Sequence, residues 1–283
     1  MNIYNKHIRS CMKRKHELLS LFNPKPKNIN PWAFIRAYNE IETIKISLKT
    51  MLDGGIKRGV LGYHLDSNGN DDGTSEVIKK FCKENPSFIP LEYPYVVMPY
   101  DHHLRQEVQN KNQLLSTYYN FVLDEIPEND WFIKIDCDHL YNEVALSKVL
   151  EQPNSVIDSI YLPAINMHYD SGELYFLNFK YVENYFMSSW YKNGRDHQLQ
   201  RKDKYVHYYM LGVCEEVYSL NKWKKAENIV SLHFPLMKKS RIHLATKENL
   251  IPYDDFDFSQ IPMSDIDKEF ILNKNKILSY FVD

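Results

Sequence analysis

Four cysteines in 283 residues, at positions 11, 82, 137 and 214, are too few and too scattered for a disulfide framework. No two of them have the spacing of a metal-ligand pair. No apolar run approaches the ~20 residues of a membrane-spanning helix. The first residues lack the apolar core of a signal peptide, so a reducing cytoplasm is the expected compartment. The net charge is only −2, which gives no reason to expect nucleic acid as a partner. Glycine is scarce, and no Gly-rich phosphate loop appears early in the chain. Repeats and low-complexity tracts are absent. What remains is an ordinary globular composition, 25% charged and 43% hydrophobic. Its length suits one large α/β domain or two small ones with a sizeable core.

Charge is nevertheless uneven. Residues 1–28 carry Lys6, Arg9, Lys13, Arg14, Lys15, Lys25 and Lys27 against the single acid Glu17. Apolar residues of residues 1–22 have loosely helical spacing, so this arm suits either its own domain or peripheral contact with the anionic inner-membrane surface. Two prolines make residues 23–28 a linker. Residues 253–269 are acidic instead.

Between these ends, apolar runs alternate with helical patterns. Strands are expected at residues 31–40, 59–65, 88–97 and 131–135. Helices are expected at 43–52, 75–84, 112–126 and 142–150. Alternation of this kind implies an α/β fold with a doubly wound, mostly parallel sheet. Residues 29–150 would form its first half. After residue 150 the periodicity weakens. Two strands around Asp170-Ser171-Gly172, a helix at 215–223 and a strand at 229–235 are expected, and residues 151–245 would form a second half. Ser264 with Asp267 is a capping-box pattern, opening a helix that runs to Phe281 within the acidic C-terminal part, 246–283.

The chemistry concentrates on Asp136-Cys137-Asp138. The apolar run Trp131-Phe132-Ile133-Lys134-Ile135 stops there, at the carboxyl end of a buried strand, where open α/β sheets bind ligands. Side chains two residues apart on an extended chain point the same way. The two carboxylates therefore repel, and a divalent cation would relieve them and bridge to an anionic ligand. Arg36, Asn39 and Glu40 end the first strand on the same edge, and Asp66 ends the second. Asp66 suits the imide N–H of uracil. His233 ends a later strand and could complete the shell of Mn²⁺ or Mg²⁺. Lys238, Lys239 and Arg241 follow closely and could neutralise a diphosphate.

Several stretches carry a family resemblance. They are Pro31-Trp32-Ala33-Phe34-Ile35-Arg36 with Asn39-Glu40, Arg58-Gly59-Val60-Leu61-Gly62-Tyr63, and Phe81-Cys82-Lys83 with Pro86-Ser87-Phe88-Ile89-Pro90. Tyr93-Pro94-Tyr95, Ile133-Lys134-Ile135-Asp136 with Asp138-His139, and His233-Phe234-Pro235 with Lys238-Lys239 and Arg241 complete the set. Together they resemble the bacterial β-1,4-N-acetylgalactosaminyltransferases that build ganglioside-like lipooligosaccharide outer cores. The resemblance is strong over residues 29–142 and 232–241 and thin between. It implies a GT-A fold, a UDP-sugar donor, a glycan or lipid-linked oligosaccharide acceptor, a divalent metal and inversion at the anomeric carbon. It also implies that Asp138 is the best metal ligand, Asp136 the bridge between metal and ribose, and His233 a third ligand.

An inverting transfer needs a base for the acceptor hydroxyl. Glu216, then Glu215, are the preferred candidates, with Asp196 and Asp170 as further acids. Tyr169, Tyr185, Trp190 and Tyr191 could stack on sugars. A nucleotidyltransferase would also use paired carboxylates and a metal, and a non-catalytic glycan-binding relative is a third reading.

Overall fold

The computed structural model describes residues 29–98, 110–153, 159–178, 191–192, 198–211, 214–218 and 223–282. The basic arm, the loop with His102, His103 and Arg105, and Tyr185, Trp190 and Asp196 lie outside them. In chain order the elements are β1 (Trp32–Ala37), α1 (Ile44–Asp53), β2 (Arg58–Tyr63), α2 (Thr74–Glu84), β3 (Phe88–Glu92), α3 (Leu115–Asp124), β4 (Trp131–Ile135), β5 (His139–Tyr141) and α4 (Glu143–Leu150). They continue with β6 (Ser159–Tyr161), β7 (Ala164–Asp170), β8 (Glu173–Leu177), β9 (Tyr191–Lys192), β10 (Gln198–Arg201), β11 (His207–Leu211), β12 (Cys214–Tyr218), β13 (Trp223–Lys225), β14 (Ser231–His233) and β15 (Leu250–Pro252). Two helices close the chain, α5 (Asp265–Ile271) and α6 (Lys274–Leu278).

Among the described residues, the main sheet has the order β13-β6-β10-β4-β1-β2-β3. Strands β3, β2, β1 and β4 are parallel neighbours. Their residues alternate between two cores, as a strand buried on both faces requires. Ala33, Ile35, Ile133 and Ile135 meet α1, α2 and α4 on one face, whereas Phe34 and Phe132 meet α3 on the other. The expected alternation of strands and helices is therefore observed through residue 150. Helix α1 ends as its Gly54-Gly55 pair suggests. Gly55 adopts φ 94°, and the N–H groups of Gly55 and Ile56 return to the carbonyls of Leu52 and Met51. At Gly62 a Cβ would stand 2.3 Å from Val122 Cγ2, so the absence of a side chain lets α3 lie close against β2.

The sheet departs from a parallel one at β10, which enters beside β4 antiparallel to both β4 and β6. A second sheet, β15-β8-β7-β14-β5, stands beside it, with β9 on β7. Its hairpin between β7 and β8 turns on Ser171 (φ 49°) and Gly172 (φ 90°), the left-handed pair that a two-residue turn needs. Its core is closed by Phe270, Ile271 and Ile277 of the C-terminal helices.

Three expectations change. Residues 215–223 are not a helix. Glu215 and Glu216 lie on β12, paired antiparallel with β11, and Trp223 begins β13. Adjacent acids resemble a helix start, but the Val217-Tyr218 that follows is β-favouring and β11 supplies a partner. The single C-terminal helix is two, broken at Asn273, which caps the second with its side chain. The strand expected at residues 88–97 stops at Glu92.

Candidate active site

The acid pair lies between β4 and β5, and helix α1 fixes the turn that carries it. Ser47 Oγ donates to the Asp136 carbonyl at 2.8 Å, and the Tyr141 N–H donates to Thr50 Oγ1 at 3.0 Å. The Asp136 N–H donates in turn to the Tyr141 hydroxyl at 3.0 Å. Residues 136–141 are thus held by side chains of buried, regular elements rather than by loop contacts alone.

The two carboxylates meet different surroundings. Asp136 lies 2.7 Å from the buried Arg36 guanidinium and 3.4 Å from Lys134 Nζ. Arg36 is itself packed between the rings of Phe34 and Tyr119, at 4.4 and 4.1 Å. Asp138 faces the second sheet and is only 3% exposed. There, β5, β14 and β7 place His139, His233 and Asn166 side by side in register. Asp138 Oδ2 lies 3.3 Å from His233 Nε2, and Oδ1 lies 4.0 Å from His139 Nε2. One ligand atom from each of Asp138, His139 and His233 falls within 4.8 Å of the others.

The chemistry of this donor set fits a divalent cation. His233 Nδ1 lies 2.7 Å from Asn166 Oδ1, an acceptor, so hydrogen-bond logic puts a proton on Nδ1 and leaves Nε2 to face Asp138. Orientation of a ligating imidazole by a partner on its other nitrogen is the usual arrangement around protein-bound metals. His139 is set in the same manner, with Nδ1 2.7 Å from Ser231 Oγ. An imidazole lone pair and a carboxylate oxygen facing each other need a proton or a cation between them.

A cation of the protein also stands beside Asp138. Lys238 Nζ lies 2.5 Å from Glu40 Oε1 and 3.5 Å from Asp138 Oδ2. Burial alone would raise the Asp138 carboxyl, but Lys238, His233 and His139 hold it well below the usual carboxylate range. Glu40 behaves oppositely. Burial pushes it up to about 8 against the pull of Lys238, with Asp138 adding to the rise. Its Oε2 is buried without a hydrogen-bond partner.

Around this centre, the family model for beta-1,4-N-acetylgalactosaminyltransferase (CgtA) matches residues 21–280. The chain belongs to this family. It is therefore a glycosyltransferase. A search of the curated proteins finds no match. Among solved structures, the mannosyltransferase PcManGT from Pyrobaculum calidifontis, solved in complex with GDP-Man and Mn²⁺, is similar at 12% identity and a TM-score of 0.33. That similarity covers 54% of this chain and 42% of the other. The inositol-1-phosphate CTP transferase from T. maritima is similar at 11% identity and a TM-score of 0.40, over 78% and 96% of the two chains. Likeness at this level carries no argument about function.

The other anticipated residues of this CgtA family member divide into two groups. Arg36, Glu40, Asp136, Asp138, His233 and Lys238 come together at the carboxyl edge of β1 and β4, and Arg241 acts electrostatically on Glu40 and Lys238. Asn39, Asp66 and Lys239 are placed differently. Asn39 takes a left-handed conformation (φ 54°), and its Oδ1 accepts the Asp72 N–H, tying the end of β1 to the loop before α2. Asp66 stands in that loop at the end of β2. Its Oδ1 accepts the N–H groups of Asn68 and Asn70. Lys239 is exposed.

Two residues here are not marked by the sequence. His139 stands there only as the end of the acid motif, because its partner Ser231 lies 92 residues away. Tyr38, exposed just after β1, stacks on His64 at 4.1 Å and 16°. An aromatic among polar strand ends is the signal that could have revealed it.

Proposed function

We propose that the chain is an inverting, metal-dependent GT-A glycosyltransferase that moves a sugar from a UDP-sugar to a hydroxyl of a lipooligosaccharide or polysaccharide acceptor, forming a β linkage. GalNAc is the sugar that family membership favours. The observation that carries the reading is the buried Asp138-His139-His233 cluster at a sheet edge that also presents Lys238 and Arg36.

A divalent ion held by Asp138, His233 and His139 would supply Lewis-acid neutralisation of the diphosphate leaving group. The chain's own residues do the rest. Asp136, fixed by Arg36 and Lys134, is oriented to accept a ribose hydroxyl. Asp66 offers an acceptor for the uracil imide, and Tyr38 offers a flat face for the base. Lys238, Lys239 and Arg241 take the phosphate charge as it develops. The acceptor oxygen then attacks the anomeric carbon as the bond to UDP breaks, and its proton passes to a carboxylate. Glu216, then Glu215, is the proposed base, carried on the β11–β12 hairpin that Asn120 ties to α3 through Tyr208. In this reading residues 29–150 hold the donor and residues 151–245 shape the acceptor site.

The test is UDP release from UDP-GalNAc, UDP-GlcNAc and UDP-galactose with Mn²⁺, for the wild-type chain and Asp138→Asn. The wild type should turn over at least one donor, and Asp138→Asn should lose it by a factor of about 10² or more. Full activity with intact metal dependence in Asp138→Asn would contradict the proposal. So would pyrophosphate release from UTP and a sugar phosphate, which would indicate nucleotidyl transfer instead.

A further inference from the structure

We infer that Lys238 is a resident counter-cation of the metal site, which a nucleoside diphosphate must draw away before a divalent ion binds tightly, so that the two ligands enter as a coupled pair. This inference rests on the metal reading given above. Its basis is geometric. The same carboxylate oxygen, Asp138 Oδ2, faces His233 Nε2 at 3.3 Å and Lys238 Nζ at 3.5 Å. A divalent ion on that oxygen would stand beside an ammonium group in a buried site, where like charges repel strongly. The two cations therefore compete for Asp138.

Glu40 explains why the ammonium stays. Its Oε1 lies 2.5 Å from Lys238 Nζ, and its Oε2 is buried with no hydrogen-bond partner. Oε1 accepts from the Lys238 ammonium whether or not Glu40 carries a proton on Oε2. The Lys238 side chain retains 25% exposure and a flexible four-carbon stem, so it can turn outward without unpacking the core. Arg241 adds a second positive charge next to it. A diphosphate arriving at that surface would meet both cations. Taking Lys238 as its counter-ion, it would leave Asp138 open to a metal. Glu40 is thus a positioning residue, acting through Lys238 rather than on substrate. Linkage is reciprocal, so Mn²⁺ must strengthen UDP binding by the same factor by which UDP strengthens Mn²⁺ binding.

The experiment is a titration of the full chain with Mn²⁺, reading free Mn²⁺ by electron paramagnetic resonance, with and without UDP. Two variants accompany the wild type, Lys238→Met, and Lys238→Met combined with Glu40→Gln. The second removes the Glu40 carboxylate, which could otherwise gain the ion in place of Asp138. In the wild type, UDP should raise Mn²⁺ affinity by about tenfold or more. In both variants, affinity without UDP should rise by a similar factor, and the gain from UDP should shrink. A misfolded variant would bind less metal, not more. If the wild type shows the UDP effect but neither variant binds Mn²⁺ better alone, the role of Lys238 is refuted and the metal reading stands. A rise confined to the single variant would also refute it, because Glu40 would then be the source. If the wild type binds no Mn²⁺ with or without UDP, the metal reading itself fails and takes the inference with it.

Discussion

Burial, rather than residue type, distinguishes the acids of this site. Asp136 and Asp138 are two positions apart, yet one is held by Arg36 and Lys134 and the other by His233 and Lys238. Glu40 is the residue whose ionisation the fold disfavours, with its carboxyl raised to about 8. The unfolded chain releases that proton near pH 4.5, whereas the folded chain keeps it until about pH 8. Between those values the folded state binds more protons, so this group's contribution to stability is present below pH 4.5 and is lost as pH rises towards 8. Urea unfolding of the metal-free protein from pH 5 to 8 should show a decline that is shallower in Glu40→Gln. Equal slopes in the two proteins would show that Glu40 ionises freely in the fold.

Among the elements, α1 does two jobs. Ile44, Leu48 and Met51, spaced along one helix face, fill the core under β1. Ser47 and Thr50, on the adjoining face, anchor the turn that carries the acid pair. Tyr141 closes that turn by accepting the Asp136 N–H. Tyr141→Phe removes the hydroxyl that accepts this part-buried N–H, a loss of about 1 kcal/mol. We expect a lower unfolding midpoint in urea together with weaker Mn²⁺ binding in the presence of UDP. Unchanged metal affinity would mean that the turn keeps its geometry without the bond. Helix α1 was legible in the sequence because its apolar spacing is regular and Gly54-Gly55 marks its end. Its anchoring role was not, since Ser47 and Thr50 read as ordinary polar helix residues. Strand β12 departs from the helix expected at 215–223 for a related reason. Two adjacent acids signal a helix start locally, and only the pairing with β11 decides otherwise.

For the whole molecule, the site is a seam between two sheets. The main sheet contributes Arg36, Glu40 and Asp136, whereas the second sheet contributes His139, His233 and Asn166. Parallel strands with their polar ends on one edge announced the first half of the seam. The second half was less visible, because its register joins residues 139, 166 and 233, far apart in the chain. Only His233, at the end of an apolar run, could be picked out. The C-terminal helices hold that second sheet in place. The Asp267 carboxylate accepts the Ile229 N–H at 2.8 Å just before β14, and Phe281 packs against Phe234 just after it. The placement of His233 thus depends on residues near the end of the chain.

We propose that this seam holds a divalent cation against a UDP diphosphate. Crystals soaked with Mn²⁺ and UDP and measured at the manganese absorption edge test it most directly. One anomalous peak is expected within about 2.0–2.4 Å of an Asp138 carboxylate oxygen and His233 Nε2, in contact with the diphosphate. A peak elsewhere, or UDP bound with Lys238 still seated between Glu40 and Asp138 and no metal present, would contradict it.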